Sequence, residues 1–192
     1  PSDEGFTWDT LLARARQTAF LVPGLTINCF DERGEETIHE SFRFDGGVVD
    51  FVDWLATDGP VTDTWHIQGE GTFTETVQAL DPESGHLKAV ETERTCEVDC
   101  ALRWGIGYEA QLQSFVNIIA TPKGGTHVAG FEQAVLKVLR AQVDKNARKL
   151  KVSAKDGRPE KDDVLAGLTA VVTVRFPEPQ FEGQTKEILG TP

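Results

Sequence analysis

The stretch LTAVVTVRF, Leu168–Phe176, constrains the fold more than any other part of the chain. It is β-branched, nearly continuous in apolar character and shows no polar alternation. A strand apolar on both faces belongs inside a sheet, so the rest of the chain has to supply its neighbours. Several segments qualify. LTINCF and TIHESFRF flank the turn DERGEE and read as a hairpin. TWHIQGEGTFTETVQAL alternates from Trp65 to Val77, and Gly69 and Gly71 are expected to mark a bend or bulge. RTCEVDCALRW puts Cys96, Val98, Cys100 and Leu102 on one face and Glu97 and Asp99 on the other, a solvated side. After the turn GIG, EAQLQSFVNIIAT is expected to return as its antiparallel partner.

Helical spacing marks the remaining elements. Leu11, Leu12, Ala15 and Ala19 share a face, with Arg14 and Arg16 turned away, Asp3 or Thr7 as the cap, and Pro23–Gly24 as the stop. Val48, Val49, Phe51, Val52 and Leu55 predict a short helix. The longest helix is expected from about Val128 to Leu150, with Val128, Phe131, Val135, Val138, Leu139 and Val143 on its apolar face. KDDVLAG is a short helix in which Asp162 and Asp163 act as caps. A helix, a run of antiparallel-type strands, a long helix and a strand make an α+β fold with helices packed on one face of the sheet.

The chain is acidic, with a net charge of -12 and a pI of about 4.7, which argues against a free-standing DNA-binding module. The charge is uneven, because Lys137 to Arg158 holds eight Lys or Arg against two Asp. That window reads either as the wet side of the long helix or as a stripe facing a polyanion. No apolar run approaches a membrane span and no signal peptide is visible. The chain contains no methionine, so it reads as one domain of a longer protein.

Most motifs point to structure rather than chemistry. The three cysteines, Cys29, Cys96 and Cys100, lack a CxxC pair and read as core thiols in a reducing compartment, with no metal site. His39, His66 and His86 read as solvated, and Tyr108 as a turn or packing residue. TPKGGTH, Thr121–His127, has the glycines of a phosphate cradle without P-loop spacing. Its simpler reading is a tight turn in which His127 makes a structural hydrogen bond.

The loop PEPQFEGQTKEILG, Pro177–Gly190, is the strongest candidate site. Pro177 and Pro179 stiffen its exit from the strand, and Gly183 and Gly190 permit sharp turns. Lys186 offers a point charge suited to a terminal phosphate, and Gln184 a neutral amide donor. On residue chemistry alone a phosphate contact and an ordinary surface loop both remain open.

Taken together, FLVPGLTINCFDER, FRFDGG, SFVNIIATPKGGTHVAGFEQA and DDVLAGLTAVVTVRFPEPQFEGQTKEILG resemble the B-type subunit of bacterial type IIA DNA topoisomerases, of gyrase and of topoisomerase IV. The resemblance covers about Phe6 to Gly190, and the long hairpin VQALDPESGHLKAVETERTCEVDC is similar to the actinobacterial type. It does not separate gyrase from topoisomerase IV.

The resemblance implies that residues 1–192 are a single transducer domain with a ribosomal protein S5 domain 2-like fold, a mixed sheet and a left-handed βαβ crossover. A GHKL ATP-binding domain is expected upstream and a TOPRIM domain downstream. The implied enzyme is an ATP-hydrolysing type II topoisomerase of the cytoplasm, using ATP and Mg2+, and inactive as this part alone. Gln184 and Lys186 would contact the ATP γ-phosphate, with Lys186 catalytic and Thr185 between them. Partners would be the GHKL domain of the same chain, an A-type DNA-cleaving subunit in a heterotetramer, and duplex DNA. Lys137, Arg140, Lys145, Arg148 and Lys149 would face DNA. Competing readings are an S5-like nucleic-acid-binding module and the middle domain of another GHKL ATPase, MutL-like or Hsp90-like.

Overall fold

The computed structural model describes residues 7–82, 85–153 and 155–191. Helix α1 (Trp8–Leu21) is followed by the two-stranded antiparallel sheet of β1 (Ile27–Asp31) and β2 (Ile38–Phe42), then by helix α2 (Val48–Leu55). The second sheet contains β3 (Trp65–Leu80), β4 (Leu87–Trp104), β5 (Gln111–Val116), β6 (Ile119–Ala120) and β7 (Leu168–Arg175). Between β6 and β7 lie α3 (Thr126–Lys145), α4 (Ala147–Leu150) and α5 (Lys161–Leu165).

Strand β7 is central, as its composition requires. The sheet order is β3-β4-β7-β5-β6, and every residue of β7 except Arg175 is buried. It runs antiparallel to β4 and parallel to β5. This corrects the expected third hairpin. The segment after GIG does not return along β4, because β7 takes that place and β5 pairs on its far side. The apolar run of β7 gains more by lying between two strands than β4 and β5 gain by pairing with each other.

Register assigns the faces. Ala101, Val171 and Phe115 face α1 and α2, where Phe20, Phe51 and Val52 complete a core. Leu102, Leu168 and Ala170 face the other way, towards Phe131, Val135 and Leu165 of α3 and α5. Helices therefore cover both faces of the mixed sheet rather than one, since a strand apolar on both sides has to be shielded on both. The ring of Phe20 stacks between Phe44 and Phe51, with centroids at 3.6 and 4.6 Å. Burying such a ring contributes about 1.5–3 kcal/mol.

Other local expectations differ in detail. Thr7 caps α1, accepting from the Thr10 amide at 3.3 Å, while Asp3 lies outside the described residues. Arg16 is half-buried and its guanidinium lies 5.1 Å from the Phe42 ring and 5.2 Å from the Trp54 ring, a cation–π position rather than a solvated one. Gly69 and Gly71 mark no bulge, because the β3–β4 register runs unbroken from Trp65↔Leu102 to Leu80↔Leu87. The long helix begins at Thr126 and breaks at Asn146, whose side chain donates back to the Gln142 carbonyl at 2.8 Å. A separate turn, α4, follows and ends at Lys151 in the left-handed conformation. Glu160 and Asp163 form a capping box on α5. Tyr108 packs against little, being 90% exposed.

Beyond residue 97 towards its tip, the β3–β4 pair outruns β7 and projects as a two-stranded arm. Between this arm and α3 an apolar cleft of about 530 Å³ remains, and α3 has no fully buried residue.

Candidate functional site

The loop after β7 is built upon two turns that precede it in sequence. The β5–β6 turn places both Asn117 and Ile118 at positive φ, 47° and 66°. Asparagine tolerates that conformation and a β-branched isoleucine does not, so the second position is strained. The turn brings the Asn117 amide against the chain leaving β7. Its Nδ2 donates to the Phe176 carbonyl at 2.8 Å, and its Oδ1 accepts from the Phe176 amide at 3.1 Å. Sequence reasoning passed over Asn117, although an asparagine interrupting the apolar run Phe115–Ile119 is a turn signal.

The second turn is PKGGTH. The Gly124 carbonyl accepts from the Leu189 amide at 3.1 Å, and the amides of Thr126 and Lys123 donate to the carbonyls of Leu189 and Glu187, both at 3.2 Å. Gly125 has φ +137°, and a Cβ there would sit 2.4 Å from the Leu189 carbonyl oxygen. Only glycine lets the two backbones approach so closely. Thr126 donates its hydroxyl to the Thr191 carbonyl at 2.5 Å. The glycines thus hold the base of the 177–190 loop, and the Thr126 amide is spent on Leu189 rather than offered to an anion.

His127 makes the structural hydrogen bond expected of it. Its Nε2 lies 3.0 Å from the Thr121 hydroxyl, which in turn lies 2.8 Å from the Ser114 hydroxyl. Burial pulls its pKa down to about 4, so the imidazole is neutral near pH 7. Its Nδ1 is buried without a hydrogen-bond partner.

The loop itself closes on a narrow stem. Phe181 pairs with Leu189 in an antiparallel bridge, the Glu182 amide donates to the Ile188 carbonyl at 2.9 Å, and the Gly190 amide donates to the Gln180 carbonyl at 2.9 Å. Gly183 and Lys186 take positive φ, 83° and 57°, and turn the chain at the tip. Gln184, Thr185 and Lys186 are all exposed there. The Lys186 ammonium stands 5.9 Å from the centroid of Phe181. Among the described residues no carboxylate pairs with it. The neighbouring ion pair is Lys123–Glu187 at 2.5 Å, and Lys123 holds the Glu187 carboxyl below its usual range. The stem is therefore fixed while the tip presents an uncommitted ammonium and an amide.

The five basic candidates differ in their surroundings. Lys137 and Lys145 are exposed on α3, and Arg148 and Lys149 on α4 beyond the Asn146 break. Arg140 is half-buried and its Nε donates to the Pro159 carbonyl at 2.7 Å, which ties α3 to the loop before α5. His39, His66 and His86 are exposed, as expected. His66 also lies 2.7 Å from an Asp99 carboxylate oxygen, and His39 stacks on Phe30 with centroids 4.5 Å apart. Cys29 and Cys100 are buried and free, as core thiols. Among the described residues no three His, Cys, Asp or Glu side chains gather as a metal site, and no helix is long and apolar enough to cross a membrane.

A mixed-sheet α+β domain with a crossover between parallel neighbours and a stem-fixed polar loop after its central strand defines the architectural class. Comparison with known proteins narrows it. A DNA gyrase B family model matches residues 47–192. The DNA gyrase B protein of Streptomyces coelicolor is 36% identical over 202 aligned positions, covering 96% of the chain and 26% of that protein. Its Campylobacter jejuni counterpart is 38% identical, covering 97% of the chain and 21% of that protein. The 43K ATPase domain of Thermus thermophilus gyrase B, crystallised with an aminocoumarin, superposes with a TM-score of 0.69 at 28% identity, covering 100% of the chain and 44% of that domain. The chain belongs to the DNA gyrase B family. It spans about a quarter of the length of the curated relatives it matches.

Proposed function

We propose that this chain is the transducer part of an ATP-hydrolysing type II DNA topoisomerase, and that Gln184 and Lys186 reach a nucleotide bound by a neighbouring GHKL domain. The observation that carries the reading is the contrast within one loop. Its stem is bonded to the Gly124–Gly125 turn, yet its tip holds a lysine that no carboxylate of the described residues neutralises. In an acidic chain such a charge is suited to an anion from outside.

The chemistry follows from the side chains. The ammonium of Lys186 would donate to γ-phosphate oxygens and stabilise charge that develops on them as the terminal phosphoryl group leaves. The amide of Gln184 would donate to a second oxygen and fix the phosphate's orientation. A contact to the γ-phosphate alone separates ATP from ADP. Nucleotide state then biases the orientation of the nucleotide and transducer domains, which is how hydrolysis would couple to DNA strand passage. Lysine is the better choice for a contact that forms and breaks, since it recognises phosphate as a point charge without a rigid fork. An A-type DNA-cleaving subunit and duplex DNA are the remaining partners in this reading.

The test is Lys186→Ala in the full-length protein. ATP turnover should fall about 10²-fold, the size of effect seen when one transition-state donor is removed. ADP affinity and melting temperature should stay as they were. Unaltered ATP turnover in a folded variant would remove Lys186 from the mechanism.

A further inference from the structure

The stem of the loop is also held from a direction that the nucleotide reading does not require. Glu75 on β3 is buried, 6% exposed, although it carries a carboxylate. Gln180 donates to its Oε1 at 2.7 Å, and Arg94 Nε on β4 lies 3.5 Å from its Oε2. The same guanidinium donates through Nη2 to Glu178 at 2.8 Å. Glu178 stands between Pro177 and Pro179 with φ +51°. A non-glycine residue at positive φ is strained, and a following proline restricts it further. The backbone there is therefore not in its own preferred conformation. An ion pair from the arm holds it. Below this cluster the rings of Phe73 and Phe176 meet edge to face at 5.6 Å and 85°.

We propose that Glu75, Arg94, Glu178 and Gln180 form a latch between the β3–β4 arm and the stem of loop 177–190, which makes Arg94 and Glu75 positioning residues for Lys186. The catalytic part of this inference rests on the reading that Lys186 meets the nucleotide. The latch itself does not. Arg94 suits the task because its guanidinium donates to the exposed Glu178 while its Nε, which makes no hydrogen bond, stays within ion-pair distance of the buried Glu75. The arm is a two-stranded extension beyond β7, and a displacement of its two strands would be felt first at Glu178. Loss of the latch lets the strained Pro-Glu-Pro segment relax and lowers the fraction of molecules whose loop is set for phosphate. Saturating ATP would recover those molecules, so the deficit falls on KM rather than kcat.

The experiment uses the full-length protein with Glu178→Gln, a substitution at an exposed side chain that removes one ion pair without emptying the core. Arg94→Lys is its companion, retaining charge while losing the second contact. Hydrogen exchange is read at the amides of Glu182, Leu189 and Gly190, and ATPase kinetics are read in parallel. The expected result is exchange roughly threefold to fivefold faster in residues 180–190, the scale of a partly exposed ion pair. Exchange elsewhere and the melting temperature should be unaltered, and KM for ATP should rise by a similar factor at constant kcat. Faster local exchange with unaltered ATP kinetics would keep the latch and overturn its positioning role for Lys186, whereas unaltered turnover in Lys186→Ala is what would overturn the nucleotide reading. Unaltered exchange at the three amides, or faster exchange spread over the whole sheet, would overturn the latch.

Discussion

His127 ties the start of α3 to the strand beneath it. It sits in the first turn of that helix, next to the Gly124–Gly125 turn that holds the loop, and it is neutral because burial opposes its charge. In the unfolded chain it titrates near 6.5, and in the folded chain near about 4. The unfolded state therefore binds the extra proton first as pH falls. Stability is complete above about 6.5, declines through that interval and levels off below about 4 for this group. His127→Asn should flatten that part of the pH dependence of the denaturant midpoint, and an identical pH profile in the variant would contradict the assignment. A structural role for His127 was legible in the sequence, since a histidine just after a Gly-Gly turn at a helix start has backbone and hydroxyl partners close by. Arg94 and Glu75 were not legible. Each stands in an alternating strand among other charges, and only the return of residues 178–180 across the arm distinguishes them from solvated neighbours.

At the scale of elements, the sequence exposed β7 and misled about β4 and β5. The composition of LTAVVTVRF states how much of a strand must be covered, and that fixed its central place. It does not state which strands do the covering. Pairing order depends on a parallel contact between segments more than fifty residues apart, and adjacent strands joined by GIG favour a hairpin on local grounds alone. The helix face of α3 carries a related distinction. Phe115 on β5 is 1% exposed beneath α2, whereas Val138 on α3 is 58% exposed despite its place in an apolar stripe. Phe115→Ala should cost about 3–5 kcal/mol of unfolding free energy, as large core truncations do. Val138→Ala should shift it by less than about 0.5 kcal/mol. Chemical denaturation of the two variants checks the contrast, and a large loss at Val138 would mean that α3 is seated on the sheet by contacts of a different kind.

Over the whole molecule the relevant quantity is the distribution of charge. A net charge of -12 repels a polyanion at long range, and that repulsion is screened within about 8 Å at physiological salt. Local positive charge can then act at contact distance, provided that it is not already paired. The structure divides the basic window accordingly. Arg158 pairs with Asp144 at 3.0 Å, and Arg140 is committed to the Pro159 carbonyl. Lys137, Lys145, Arg148 and Lys149 stay exposed. If these four meet DNA in the full-length protein, replacing all four by Gln should weaken duplex binding and reduce the slope of log affinity against log salt by up to about 0.9 for each lost phosphate contact. Arg140→Gln should leave the slope unaltered and lower the melting temperature instead, because its hydrogen bond fastens α3 to the segment before α5. Measuring duplex affinity between about 50 and 200 mM salt separates the two effects. An unaltered slope in the quadruple variant would assign the window to the solvated side of α3 and α4. An altered slope in Arg140→Gln would show that the guanidinium leaves Pro159 to reach phosphate, and that the α3–α5 tie opens when DNA is bound.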